Sequence, residues 1–358
     1  MKAFLAAFFL VLVSATVANY CLDPLGKRAL TPEVGELPPG YLYPARGGNV
    51  HLLKLRMLRH APPGSDFILG SSRVLAWGTP QFPPGRPVVN LAITNAEALD
   101  YFPLLDELIH SGNAHAVYVE LSPWTFSART RDETPENRFL ERPPERYSYE
   151  ELLSFSVLRQ ALLGLRNDDL PGRPLAPGNT ERYGYRPDGR FRYPASYEAR
   201  STSEVVETAV SAASAPHIEL LEAGLNLEKV RRLCDRVRAL HAKQVAVQLL
   251  TVPWNPAATQ RVAQRHLSYT VQSVHEELVE AVQRSCDEPV HRFEAACPQE
   301  EFFDDHHPRP ACFDRLAAKL ELLTSGRGGS DRTEGPPGDS KSAAADPASR
   351  LDSGKGHP

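Results

Sequence analysis

Short continuous apolar runs alternate with longer segments of helical spacing along most of this chain, and few folds accommodate that order. The apolar runs fall at 66–69, 87–93, 116–121, 244–252 and 290–293. Helical segments fall at 51–60, from 72, and at 96–111, 226–243, 260–285 and 313–323. Within 96–111, Ala98, Phe102, Leu105, Leu108 and Ile109 share one side of a helix. A strand that is apolar on both faces must be covered on both faces. The pattern therefore predicts an α/β fold, with a mostly parallel sheet between two helical layers (three-layer α/β/α). Sites in such folds lie beyond the carboxyl ends of the strands. Gly70-Ser71-Ser72, Ser122-Pro123-Trp124 and Pro253-Trp254-Asn255 all stand at such ends.

One long interruption, an insertion at about 127–216, separates the third and fourth strands. It contains one apolar helix at 149–165 and a polar, aromatic hairpin at 182–193, where Asp188-Gly189 is the turn signal. The 32 prolines cluster, as in Leu37-Pro38-Pro39-Gly40 and Phe82-Pro83-Pro84-Gly85, and mark loops. Segment 1–22 is apolar, 23–50 reads as a Pro/Gly-rich linker, and 51–324 forms the domain. The tail 325–358, rich in Gly, Ser, Pro and Asp without apolar periodicity, is expected to be disordered.

Segment 1–22 has two readings. Thr16-Val17-Ala18 before Asn19 is a passable signal-peptidase site. Alternatively the segment stays as a transmembrane anchor, since about 20 helical residues just span a bilayer core. The length of the apolar stretch favours the anchor, and Lys2 favours a cytoplasmic amino terminus. Either way the bulk of the chain is exported to the periplasmic or extracellular side. A net charge of −4, without Lys/Arg runs among aromatics, argues against a nucleic-acid partner. The five cysteines form no CxxC pair. Either Cys286 and Cys297 bridge in an exported domain, or all the thiols are free.

Two distant segments carry the chemistry. A serine after a strand and at a helix start has its hydroxyl fixed at the sheet edge, beside free backbone N–H groups that suit a developing oxyanion. Gly70-Ser71-Ser72 offers that. Asp304-Asp305-His306-His307 offers a carboxylate and an imidazole three residues apart. Imidazole is a suitable base near neutral pH, and a carboxylate behind it fixes its tautomer. Each segment alone has a plain alternative: a helix cap for the serines, and a solvated turn or half of a metal site for the Asp/His cluster. No second cluster of histidines and acids supports a metal, and no cofactor is expected.

The same residues resemble the SGNH (GDSL-type) hydrolase superfamily, in particular its membrane-anchored, exported branch. That branch includes the teichoic-acid D-alanylation protein DltD and the alginate acetylation proteins. Ile68-Leu69-Gly70-Ser71-Ser72-Arg73 is similar to the nucleophile block, Asn90-Leu91-Ala92-Ile93-Thr94-Asn95 to the second block, and Glu120-Leu121-Ser122-Pro123-Trp124 to the third-strand end. Asp304 to His307 resembles the final Asp-x-x-His block. The resemblance implies Ser72 as nucleophile, with Ser71 at the usual Asp, His307 as base and Asp304 as the orienting acid. It puts Asn95 where the superfamily has an oxyanion-hole glycine, and Trp124 near the place of its third-block asparagine. It implies an exported, membrane-tethered serine esterase or O-acyltransferase. The substrate would be an acyl ester of cell-surface polysaccharide or envelope glycan, with a membrane-bound acyltransferase as partner. The altered oxyanion positions imply an alternative: a degenerate member that binds or assembles without catalysis. Trp124, Trp254, Tyr183, Tyr185 and Tyr193 are candidate sugar platforms or, singly, core packing.

Overall fold

The computed structural model describes residues 1–27, 37–45, 50–129, 147–167, 170, 174–212, 223–265 and 271–327. In chain order the strands are β1 (Tyr43–Pro44), β2 (Ser65–Leu69), β3 (Val88–Asn90), β4 (Ala114–Glu120), β5 (Gly184–Tyr185), β6 (Phe191–Arg192), β7 (Ala246–Leu250) and β8 (Val290–His291). The helices begin with α1 (Lys2–Leu22), α2 (Val50–His60), α3 (Ala98–Ser111), α4 (Tyr149–Leu152), α5 (Phe155–Asn167) and α6 (Ala195–Glu198). They continue with α7 (Thr202–Ala212), α8 (Leu227–Ala242), α9 (Pro256–Arg265), α10 (Val271–Cys286) and α11 (Pro310–Arg327). Residues 1–320 form one compact unit.

The central sheet is parallel throughout, in the order β3-β2-β4-β7-β8, and helices flank it in a three-layer α/β/α arrangement. All five residues of β2 are buried. Phe67 pairs with Val89 on one side and Val117 on the other, and Val117 pairs in turn with Val247. Burial on both faces is why these strands read as mostly apolar runs. Each fully buried large aliphatic such as Ile68 contributes roughly 1.5–3 kcal/mol of transfer free energy. The strand order reverses between β2 and β4, which makes their carboxyl ends the topological switch point, where sites lie in open α/β sheets.

The helices follow from their caps and apolar faces. Asn226 takes the N–H groups of Glu228 and Lys229 at 3.0 and 3.2 Å and starts α8, which buries Val230, Leu233, Cys234, Val237 and Leu240. Gly112, at φ 63°, ends α3 by donating to Leu108 O at 3.0 Å.

Several expectations change. The single helix read at 149–165 is two, α4 and α5, broken at Leu153-Ser154. Asn19 of α1 donates to Leu152 O at 2.8 Å and Ser154 O at 3.1 Å, taking up carbonyls that a continuous helix would use. Of the helix read at 260–285, the described residues are helical in α9 up to Arg265 and in α10 from Val271, and 266–270 lie outside the described residues. The hairpin at 182–193 forms as β5 and β6, and β1, from the span read as a linker, adds a third strand to it. Cys286 does not pair with Cys297. Cys234 bridges to Cys286, joining α8 to the end of α10, and Cys297 bridges to Cys312 at the start of α11. Cys286 finds its partner 52 residues away across the fold, whereas Cys297 pairs only 15 residues further on. Cys21 is free and exposed. Residues 328–358, most of the tail expected to be disordered, lie outside the described residues.

Among the described residues α1 alone is long and apolar enough to cross a membrane. It leaves Phe4, Phe8, Leu10, Val13 and Val17 exposed.

Candidate active site

β2 delivers Gly70-Ser71-Ser72 to the switch point. A Cβ on Gly70 would meet Val74 Cγ2 at 2.2 Å and Glu120 Oε2 at 2.8 Å, so the turn closes only on glycine. Ser71 is fully buried and occupied. Its N–H donates to Glu120 Oε2 at 2.6 Å, and its Oγ caps the 3-10 turn Ser72–Val74 by accepting from Arg73 N at 3.3 Å. Ser72 is 8% exposed, and its Oγ makes no hydrogen bond among the described residues. Of the two serines, Ser72 is the one whose hydroxyl is uncommitted. Asn90, at the end of β3, holds the turn that follows by donating to Val74 O at 2.7 Å and Trp77 O at 2.8 Å.

A buried ion pair locks the strand ends together. Arg73 Nη1 lies 3.4 Å from Glu120 Oε1, and both side chains are fully buried. Ser122 also donates its hydroxyl to Glu120 Oε1, and Arg73 donates to the carbonyls of Val252 and, at 2.8 Å, Pro253 beyond β7. Burial lowers the Arg73 guanidinium to about 10 against the opposing pull of Glu120, so it remains charged at neutral pH. Trp124 and Trp254 stand 5.0 and 5.8 Å from the guanidinium carbon. Such a pair adds little net stability, but removing either partner would strand a buried charge.

The second half comes from the loop between β8 and α11. Asp304 Oδ1 accepts the N–H groups of His306 and His307 at 3.0 and 2.9 Å, and its Oδ2 meets His307 Nδ1 at 2.7 Å. Tyr197 of α6 donates its hydroxyl to the same Oδ2. Asn255 fixes the loop from outside: its Nδ2 donates to Asp304 O and its N–H to Asp305 O, both at 3.0 Å. Burial pushes the Asp304 carboxyl up. The hydrogen bond and charge of His307, with help from His306 and Tyr197, outweigh it and hold the carboxyl far below the usual range. Burial and the neighbouring His306 lower His307 against the pull of Asp304, which leaves a neutral imidazole at pH 7. His307 Nε2 makes no hydrogen bond among the described residues, as a base awaiting a proton requires.

His306 connects the halves. Its ring centroid is 6.1 Å from those of both Trp124 and Trp254, the rings that flank Arg73, and 3.9 Å from that of His307. Trp77, five residues after Ser72, stacks on Phe313 of α11 at 5.7 Å. No hydrogen bond joins Ser72 to His307 among the described residues. Asn95 is exposed and adopts φ 55°, the left-handed backbone that a glycine would supply there and that Asn tolerates. It follows Ile93, whose N–H donates to Gly70 O at 3.0 Å. Trp124 and Trp254 are 7% and 5% exposed, so they pack within the site rather than offering open platforms. Tyr185 is also buried, while Tyr193 stacks on Tyr197 and lies 6.4 Å from the His307 ring. Ligand atoms of Asp304, His306 and His307 lie within 4.8 Å of one another, a three-donor set of the kind a metal would require.

Arg73, Glu120, Tyr197 and Asn255 hold the candidate residues in place, and the sequence alone assigned them no such part. An acid and a base at the ends of apolar runs called for buried partners. Tyr197 carried no sequence signal. A scan against protein-family models and a search of curated proteins both find no match for the chain.

Proposed function

We propose that this protein is an exported, membrane-tethered serine esterase or O-acyltransferase that acts on acylated envelope glycan through Ser72, His307 and Asp304. The observation that carries the reading is the Asp304–His307 pair, 2.7 Å apart, at the same end of the sheet as the uncommitted Ser72 hydroxyl. Ser72 Oγ attacks the ester carbonyl carbon while His307 Nε2 takes the hydroxyl proton. His307 then returns that proton to the departing alcohol, which leaves an acyl-serine. Water gives hydrolysis, or a sugar hydroxyl gives transfer, by the same steps in reverse. The backbone N–H groups of Ser72 and Asn95 are the oxyanion donors in this scheme. Two internal disulfides suit an oxidising, exported compartment, and α1 suits a tether. The glycan substrate and a membrane-bound acyltransferase partner rest on the family resemblance.

One observation favours a second, non-catalytic reading as a binding or assembly partner: Trp124, near the place of the third-block asparagine, is packed over Arg73. A fluorophosphonate serine probe separates the two. The test uses the full chain in detergent, with intact mass read for wild type, Ser72→Ala, Ser71→Ala and His307→Ala. Catalysis expects one adduct on wild type that is lost in Ser72→Ala and His307→Ala. An unlabelled but folded wild type would leave the binding reading.

A further inference from the structure

The insertion carries an apolar surface that the proposed chemistry does not use. α5 packs on α1 and buries Val157, Ala161 and Gly164, one narrow stripe, while α1 buries Ala15 and Asn19. At about 100° per residue, Phe155, Leu158, Leu162 and Leu165 fall on one flank, roughly 80–160° from Val157. Phe155, Leu162 and Leu165 are 71, 57 and 41% exposed. Arg159, Gln160 and Arg166 lie roughly 180–300° from Val157, where Leu163 is the one apolar residue. Tyr149 and Leu153, in and just after α4, extend the exposed apolar surface.

This surface is fastened to the end of α1. Asn19 donates to Leu152 O and Ser154 O at 2.8 and 3.1 Å, Tyr147 donates its hydroxyl to Asp23 Oδ1 at 2.7 Å, and Lys27 pairs with Glu151 at 2.6 Å. These contacts fix α4 and α5 to the last turns of the apolar helix.

We infer that α4 and α5 form an interfacial platform that lies in the surface of the lipid bilayer beside α1 and holds the domain against the membrane. The inference rests on reading α1 as a membrane-spanning anchor. Three observations favour lipid as the occupant. The apolar flank of α5 adjoins a helix whose own apolar residues are exposed. Ala15, on the face of α1 that is covered, lies about 10 Å along the helix from Leu22, comparable to the depth of roughly 5–10 Å that interfacial helices reach. The arginines, roughly 180–200° from Val157, border the apolar flank on the side away from α1, where headgroup phosphates would meet them.

The test is depth measurement by spin-label accessibility on the full chain, in phosphatidylcholine vesicles containing phosphatidylglycerol and with Cys21→Ser as background. Single labels go at Leu162→Cys and Leu165→Cys, at Gln160→Cys and Arg166→Cys, and at Val11→Cys as the anchor control. The expected result is a several-fold higher ratio of oxygen to aqueous-nickel accessibility at 162 and 165 than at 160 and 166, with Val11 lipid-exposed. Equal aqueous access at all four α5 sites, with Val11 still lipid-exposed, overturns the platform and leaves the anchor standing. Exclusion of both reagents from 162 and 165 means that protein covers the flank, a second copy or a membrane partner, and also overturns it. Aqueous access at Val11 removes the anchor and the platform together.

Discussion

His307 Nδ1 stands 2.7 Å from Asp304 Oδ2, and the carboxylate that holds it is tied down by two backbone N–H groups of the same loop. The pair fixes the imidazole with its proton on Nδ1 and Nε2 open. Asp304→Asn keeps the shape but removes the charge that selects this tautomer. It should slow fluorophosphonate labelling of Ser72 by about 10²–10⁴-fold in a folded protein. The base must be neutral, and His307 is lowered by burial and by His306. The labelling rate should therefore rise with pH through a midpoint below the ordinary histidine value of about 6.5 and stay flat above it. A midpoint above that value would contradict the assignment.

Lys54 ties the hairpin to the sheet from inside. It is fully buried, donates to Asn90 O at 2.8 Å and Gly189 O at 2.7 Å, and lies 4.3 Å from the Tyr185 ring centroid. Burial, only partly opposed by Asp188, lowers it from 10.5 to about 7. The sign follows from the folded value lying below the unfolded one. Between the two, the unfolded chain binds the proton and the folded chain does not, so stability rises with pH. The rise is at most about 1.4 kcal/mol per pH unit for a single group. Chemical denaturation between about pH 7 and pH 9 should show a component of this sign in wild type that Lys54→Met lacks. Identical pH slopes in the two proteins would rule it out.

The fold class is legible in the sequence because strands covered on both faces must be mostly apolar, as 116–121 is apart from Glu120 and 244–252 apart from Gln244, Gln248 and Thr251. The hairpin is legible because Asp188-Gly189 supplies a turn, with Gly189 at φ 80°. What stays hidden is set by distant partners. At the break between α4 and α5 the Asn19 side chain reaches a carbonyl 133 residues later. Periodicity within a segment carries no trace of such a contact. The site shows the same division. Gly70, Ser72, Asp304 and His307 can be picked out by their places beside strands, whereas Tyr197 joins Asp304 only because the insertion folds back over the loop.

The disulfides join elements, not neighbours. Cys234–Cys286 closes a sequence separation of 52 and pins α8 to α10, and Cys297–Cys312 closes one of 15. Losing either should cost about 2–4 kcal/mol, through the unfolded chain in the entropy model. Cys234→Ala/Cys286→Ala should lower the thermal midpoint while leaving the other bridge intact. Peptide mapping without reductant is the check. Recovery of a Cys286–Cys297 peptide would refute the pairing.

Tyr197 donates its hydroxyl to the carboxylate oxygen that faces His307, so it competes for the charge that holds the imidazole. Tyr197→Phe removes the donor and keeps the ring stacked with Tyr193, whose centroid is 5.5 Å away. The Asp304 charge then acts more fully on His307 and favours its protonated form. The midpoint of labelling against pH should move upward, and the limiting rate at high pH should change by less than about tenfold. A purely structural tyrosine would shift thermal stability without moving that midpoint. A lowered midpoint would mean that the hydroxyl acts on His307 by another route.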